Sequence, residues 1–282
     1  MAKSVELYGK LCIPDKPMRA LMIVVHGIGE HSGCYERFSE RFVSQSIGIL
    51  LFDLRGHGRS PGIRGHASIR LIQKDIHIIV QNMNKRFPDL PIVLFGHSMG
   101  GHFVLNYAIA ENGAVQGIIA SSPFLKMVNP PSPMLIRLAG LASRLAPWIT
   151  VSPGIKASQL SHSGAAPRST KTDPLLHKRI SIGLFCGLLR NSNVILHEKY
   201  LFNIPILLMH GSADTLTSYQ ASKTFAQNAG KCATFKKWNE MRHALLNDIG
   251  NEAVFQYIMK WLSKNVIENG TIQNSRKMYR IV

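Results

Sequence analysis

Five short stretches of the chain are apolar almost without interruption: Ala20–Val25, Ile47–Phe52, Ile92–Phe95, Val115–Ala120 and Ile206–Met209. Runs this short, rich in branched residues and bounded by glycine, predict strands buried on both faces, as in a parallel sheet. Ala233–Trp238 reads as a further strand. The stretches between them are helical in period. Tyr35, Phe38, Phe42 and Val43 share one helix face, as do Ile69, Ile72, Ile76, Ile79, Val80, Met83 and Phe87. Strand alternating with helix predicts right-handed βαβ units and a sheet covered by helices on both faces.

The alternation breaks after Ser122 and resumes at Ile204-Pro205. Residues 123–200 are proline-rich and show helical patches, chiefly Leu135–Ile149, but no buried strand. They are expected to form a helical cap inserted into one split core, residues 1–122 with 201–282. The tail after Lys264 has weak periodicity and is expected to be poorly ordered or loosely docked. No apolar run approaches the roughly 20 residues that span a bilayer, and the first ten residues hold no apolar run of a secretory signal.

Composition adds one unusual number. The 282 residues carry 33 Lys and Arg against 16 Asp and Glu, a net charge of +17. Such a charge favours anionic partners, yet the basic residues are scattered and accompany no nucleic-acid-binding signature. No nucleic-acid partner is expected; peripheral contact with an anionic membrane is what the charge allows. Four cysteines lie apart, with no CxxC pair and no histidine at zinc spacing. The expected setting is therefore the reducing cytoplasm, with no metal and no cofactor.

Gly96-His97-Ser98-Met99-Gly100 fits G-x-S-x-G. The five residues alone occur by chance, but here they follow a predicted strand and open a predicted helix. That is the context of a nucleophile elbow, in which glycines permit a turn sharp enough to lift the serine hydroxyl above the sheet. A serine needs a base, and the base an orienting acid. Asp214 follows the strand Ile206–Met209, and His243 follows Ala233–Trp238, so both stand at carboxyl ends of strands where open α/β sheets bind ligands. The rivals fail on position: Asp173, His162, His177 and His197 lie in the insertion, His210 ends its strand pointing into the sheet, and Asp248 is placed to cap the last helix. An oxyanion hole needs two backbone N–H groups. Met99, after the nucleophile, supplies one, and Ile28, in the glycine loop after the first strand, supplies the other.

At these residues the chain resembles the monoacylglycerol lipase and lysophospholipase-like serine hydrolases. His26-Gly27-Ile28-Gly29-Glu30-His31-Ser32-Gly33 looks like their HGxGEHSG box. Asp53-Leu54-Arg55-Gly56-His57-Gly58-Arg59-Ser60 resembles a second segment, Gly96–Gly101 their elbow, Gly211-Ser212-Ala213-Asp214 their acid loop, and Asp173-Pro174-Leu175 a cap-region motif. The resemblance runs in order from Leu11 to Lys264. It implies an α/β-hydrolase fold with a helical cap inserted after the sixth strand, and the triad Ser98, Asp214 and His243 with Ile28 and Met99 in the oxyanion hole. It also implies substrate contacts from Glu30 and from Leu138, Leu141 and Leu145 on the cap. The implied partner is a lipid-like ester, and the implied state a monomer or homodimer. Two departures stand near the glycerol-binding end of the family's pocket: Cys34 replaces an arginine, and Leu246 replaces a second histidine. The triad does not separate a lipase from a lysophospholipase, thioesterase, carboxylesterase or peptidase. A non-catalytic binding homologue typically lacks a triad residue, and all three are present here.

Overall fold

A computed structural model describes residues 6–162 and 173–268. The elements run β1 (Gly9–Cys12), β2 (Ala20–Val25), α1 (Glu36–Val43), β3 (Ile47–Phe52), α2 (Ile69–Arg86), β4 (Ile92–His97), α3 (Met99–Ala110) and β5 (Gly117–Ser121). They continue with α4 (Pro133–Leu145), β6 (Thr150–Val151), α5 (Ala157–Leu160), β7 (Ile180–Ser181), α6 (Ile182–His197), β8 (Ile206–Gly211), α7 (Tyr219–Asn228), β9 (Ala233–Trp238) and α8 (Asn251–Leu262). Seven strands form one sheet in the order β1-β3-β2-β4-β5-β8-β9. All its pairings are parallel except β1 with β3.

Side chains alternate across a strand, and here both faces are buried. Leu21, Ile23 and Val25 of β2 join the core under α2, α3, α6 and α7. Ala20, Met22 and Val24 join the core under α1 and α8. The same split divides Leu94 from Val93 and Phe95, and Leu208 from Leu207 and Met209. This is why the strands read as unbroken apolar runs.

Four details differ from the expectations. The excursion at 123–200 leaves the sheet after β5, the fifth strand among the described residues and not the sixth; on the N-terminal side only β1 precedes the parallel strands. That excursion contains a two-residue antiparallel ladder, Thr150–Val151 with Ile180–Ser181, too short to show a period. Its helix α6 buries Leu184, Leu188 and Ile195 in the same core as α2 and α3, and Asn191 hydrogen-bonds His102 of α3 at 2.7 Å. After α8, Ser263–Ile267 continues as a π-helical turn, with Val266 buried against the strand residue Gly117. The rest of the tail expectation falls on residues 269–282, and part of the N-terminal one on 1–5; both lie outside the described residues.

Candidate active site

The elbow is a steric construction. Ser98 sits between β4 and α3 at φ 54°, a left-handed conformation that costs a non-glycine residue energy. A Cβ at Gly96 would lie 2.3 Å from the Gly100 carbonyl oxygen, and one at Gly100 would lie 2.0 Å from that of Val25. Only glycine lets strand and helix close to this distance. The turn is pinned on both sides: Ser98 N–H donates to the Ser121 carbonyl at 2.9 Å, and the Ser98 carbonyl accepts from Phe124 N–H at 2.9 Å.

Three chain segments then meet. Ser98 Oγ–H donates to His243 Nε2 at 2.9 Å, and His243 Nδ1–H donates to Asp214 Oδ2 at 2.7 Å. Nδ1 facing a carboxylate fixes the tautomer that leaves Nε2 free to take the serine proton. All three residues are at most 9% exposed. Burial by itself would raise the Asp214 pKa, but the adjacent His243, together with hydrogen bonds from His210 and His243, holds it far below the usual carboxylate range. The acid is an anion at any working pH.

Two neighbours of Asp214 are new relative to the sequence reading. His210 lies 3.1 Å from Asp214 Oδ2 through Nε2, and does not merely end its strand. The Thr217 hydroxyl donates to the same oxygen at 2.8 Å, while Leu216 and Thr217 N–H groups donate to Oδ1. The local signal for this was an aspartate followed by a turn, which side-chain-to-backbone bonding of this kind stabilises. Asp248 also differs from expectation. Gly250, not Asp248, caps α8. Asp248 instead accepts N–H bonds from Arg242 (2.6 Å), His162 (2.8 Å) and Ile249 (2.9 Å), which holds the loop carrying His243.

Met99 opens α3, so its N–H has no acceptor within the helix. Ile28 lies in the loop after β2, and Ile28, Ser98, Met99 and His243 together line a cavity of about 410 Å³. Its wall is mostly apolar, with Phe124, Met127, Leu135, Ile136, Ala139, Ile180, Phe185 and Leu188 among the lining residues. Among the described residues no Asp, Glu, Lys or Arg lines it.

The other expected substrate contacts are elsewhere. Leu138, Leu141 and Leu145 are 55, 59 and 83% exposed and do not line the cavity. Apolar residues cover more than one side of helix α4, so its sequence did not distinguish those that line the cavity (Leu135, Ile136, Ala139) from those that do not. Glu30 is also outside the lining; its Oε2 accepts from Gly27 N–H (2.8 Å) and from the Tyr35 hydroxyl (2.7 Å). Burial opposes its ionisation, but nearby His97 and these hydrogen bonds keep its pKa below the ordinary value. Neither Cys34 nor Leu246 lines the cavity. Burial pushes the Cys34 thiol up to about 12, so it stays protonated.

Residues 16–250 match the family model described as serine aminopeptidase, S33. An uncharacterized abhydrolase domain-containing protein of Dictyostelium discoideum is 34% identical over 90% of this chain, although the chain spans only 27% of that relative's length. The human monoglyceride lipase is 30% identical over 92% of this chain and 87% of its own length. The crystal structure of a monoacylglycerol lipase from Paleococcus ferrophilus superposes with a TM-score of 0.84, at 32% identity, covering 91% of this chain and 98% of that one. By these matches and its fold, the chain belongs to the serine aminopeptidase S33 family, as a monoacylglycerol lipase-like α/β-hydrolase.

Proposed function

We propose that the protein hydrolyses carboxylic esters of fatty acyl chains, monoacylglycerol first among them, through an acyl-enzyme on Ser98. The observation that carries this reading is a Ser98–His243–Asp214 hydrogen-bond chain opening on an apolar cavity. Ser98 Oγ attacks the ester carbonyl while His243 Nε2 takes its proton. Asp214 stabilises the resulting imidazolium. The negative charge on the carbonyl oxygen falls to the N–H groups of Ile28 and Met99. His243 then gives its proton to the departing alcohol, leaving the acyl group on Ser98. Water, deprotonated by the same His243, releases the fatty acid and restores the serine.

The wall chemistry supports a long acyl chain over a charged substrate. Each methylene buried in an apolar cavity contributes about 0.8 kcal/mol. An aminopeptidase needs an anion to pair with the substrate's free ammonium group, and the described lining offers none. In this reading the described residues of the insertion, 123–162 and 173–200, form the lid over that cavity. The outer stripe of α4 (Met134, Leu138, Leu141, Leu145), with exposed Arg137 and Arg144, is its contact with an anionic membrane surface. No helix among the described residues is long and apolar enough to cross a membrane.

The test is a panel of monoacylglycerols, lysophospholipids, short p-nitrophenyl esters and aminoacyl amides compared by kcat/KM, with Ser98→Ala alongside. Long-chain monoacylglycerols are expected to lead, and Ser98→Ala to abolish both turnover and labelling by a fluorophosphonate. Aminoacyl amides or short esters outrunning every long-chain lipid would overturn the substrate reading.

A further inference from the structure

A trans peptide holds its carbonyl and the following N–H in one plane, pointing in opposite directions across the C–N bond. Whatever grips the Gly27 carbonyl therefore also sets the direction of the Ile28 N–H. Glycine offers little steric resistance of its own to a rotated peptide, so the direction must be imposed from outside. The shorter of two grips is the side chain of the preceding residue: His26 Nδ1–H donates to the Gly27 carbonyl at 2.8 Å, while Glu30 N–H reaches the same oxygen at 3.4 Å.

A second contact decides which ring nitrogen carries the proton. Leu54 N–H donates to His26 Nε2 at 3.0 Å. A backbone amide can only donate, so Nε2 is the acceptor and Nδ1 bears the hydrogen. The ring is 1% exposed, and burial keeps it neutral by lowering its pKa. Glu30 Oε2 holds the other side of the same loop through Gly27 N–H at 2.8 Å.

We infer that His26 is a positioning residue: its Nδ1–H, set by the Leu54 amide, locks the Gly27–Ile28 peptide so that the Ile28 N–H faces the oxyanion. The inference rests on the reading of Ile28 as an oxyanion donor. It assigns His26 no contact with substrate.

Two substitutions separate the ring nitrogens. His26→Asn keeps a donor near the place of Nδ1 and loses the acceptor for Leu54. His26→Gln keeps an acceptor near the place of Nε2 and loses the donor to Gly27. His26→Asn leaves the buried Leu54 N–H without its acceptor, and His26→Gln leaves the Gly27 carbonyl only the longer bond from Glu30 N–H at 3.4 Å. His26→Gln is expected to lower kcat about 10²–10³-fold, the loss of one oxyanion donor, with KM within about twofold. His26→Asn is expected to stay within about tenfold of the unsubstituted protein, since only a buried hydrogen bond outside the hole is lost. Affinity for a long-chain trifluoromethyl ketone, which forms a tetrahedral adduct with Ser98, falls in step with kcat; affinity for the matching long-chain alcohol does not. The lock is overturned if His26→Asn is the more damaging change, or if both ligands lose affinity together, as a packing role requires.

Should the glutamine variant fail to fold, long-range ¹H–¹⁵N correlation on the unsubstituted protein still decides the tautomer. An Nε2-protonated ring or an imidazolium at neutral pH overturns the lock. Hydrolysis that survives Ser98→Ala overturns the catalytic reading and the lock with it. Ser98-dependent hydrolysis at full rate in His26→Gln overturns the lock alone.

Discussion

Asp214 Oδ2 accepts hydrogen bonds from His243 and Thr217 and has His210 Nε2 at 3.1 Å. His210 Nε2 also lies 3.1 Å from the Thr217 carbonyl, so it faces two acceptors and must carry its proton. Ser222 completes the ring's bonding through Nδ1 at 2.8 Å. The acid is thus oriented from two sides before His243 reaches it. Removing that second histidine should leave chemistry slower and binding intact: His210→Ala is expected to lower kcat about tenfold, equivalent to roughly one lost hydrogen bond to a charged group, with KM unchanged. Asp214→Asn, which leaves His243 in the wrong tautomer, is expected to cost on the order of 10⁴ in kcat. Steady-state kinetics on a soluble ester checks both; equal losses in the two variants would show that His210 is no mere support. His243 itself was legible in the sequence by its place after β9. The contact of His210 with the acid is not legible in the same way, because position along the chain says nothing of which way a buried ring turns.

At the scale of elements, α4 separates two roles that its sequence blends. Ser132 caps it through Leu135 N–H, and Pro133 stands at its start, so its beginning is well marked. Its sides are not marked, since Met134, Leu138, Leu141 and Leu145 make one apolar stripe and Leu135 and Ala139 another. Packing of α4 against α6 turns the second stripe towards Ser98. Substituting the outer stripe, Leu138→Ser with Leu141→Ser, is expected to weaken sedimentation with anionic vesicles several-fold while leaving turnover of a soluble short ester unchanged. Substituting the inner one, Ala139→Trp, is expected to fill the cavity and raise KM for long-chain esters at least tenfold, since overpacking costs about 1–3 kcal/mol. If both variants lose vesicle binding and turnover alike, the two faces are not separate.

The whole molecule carries a further consequence of its burial pattern. Burial lowers the pKa of His26, holds His57 well below its ordinary range, and pushes His97 and His102 down to about 4. The unfolded chain, with histidines near 6.5, therefore binds more protons than the folded one between about pH 6.5 and 4. Stability is complete above that window and is lost as pH falls through it, by up to about 1.4 kcal/mol per pH unit for each such histidine. Urea unfolding should show a flat stability near neutrality and a steep fall below pH 6.5. His102→Gln, although less stable at pH 7, should show a shallower fall; an unchanged slope would remove His102 from the account. The sheet-and-helix order, the elbow at Ser98 and the places of Asp214 and His243 are written into the order of residues. Those rest on local rules: strand burial writes itself as apolar runs, and the elbow closes only with glycine on both sides of the serine. Long-range packing sets which side of α4 faces the cavity, places α6 in the core, makes Glu30 a brace for its loop and brings His210 to the acid. Each of those depends on how distant segments are turned towards one another, and the order of residues along the chain does not contain that rotation.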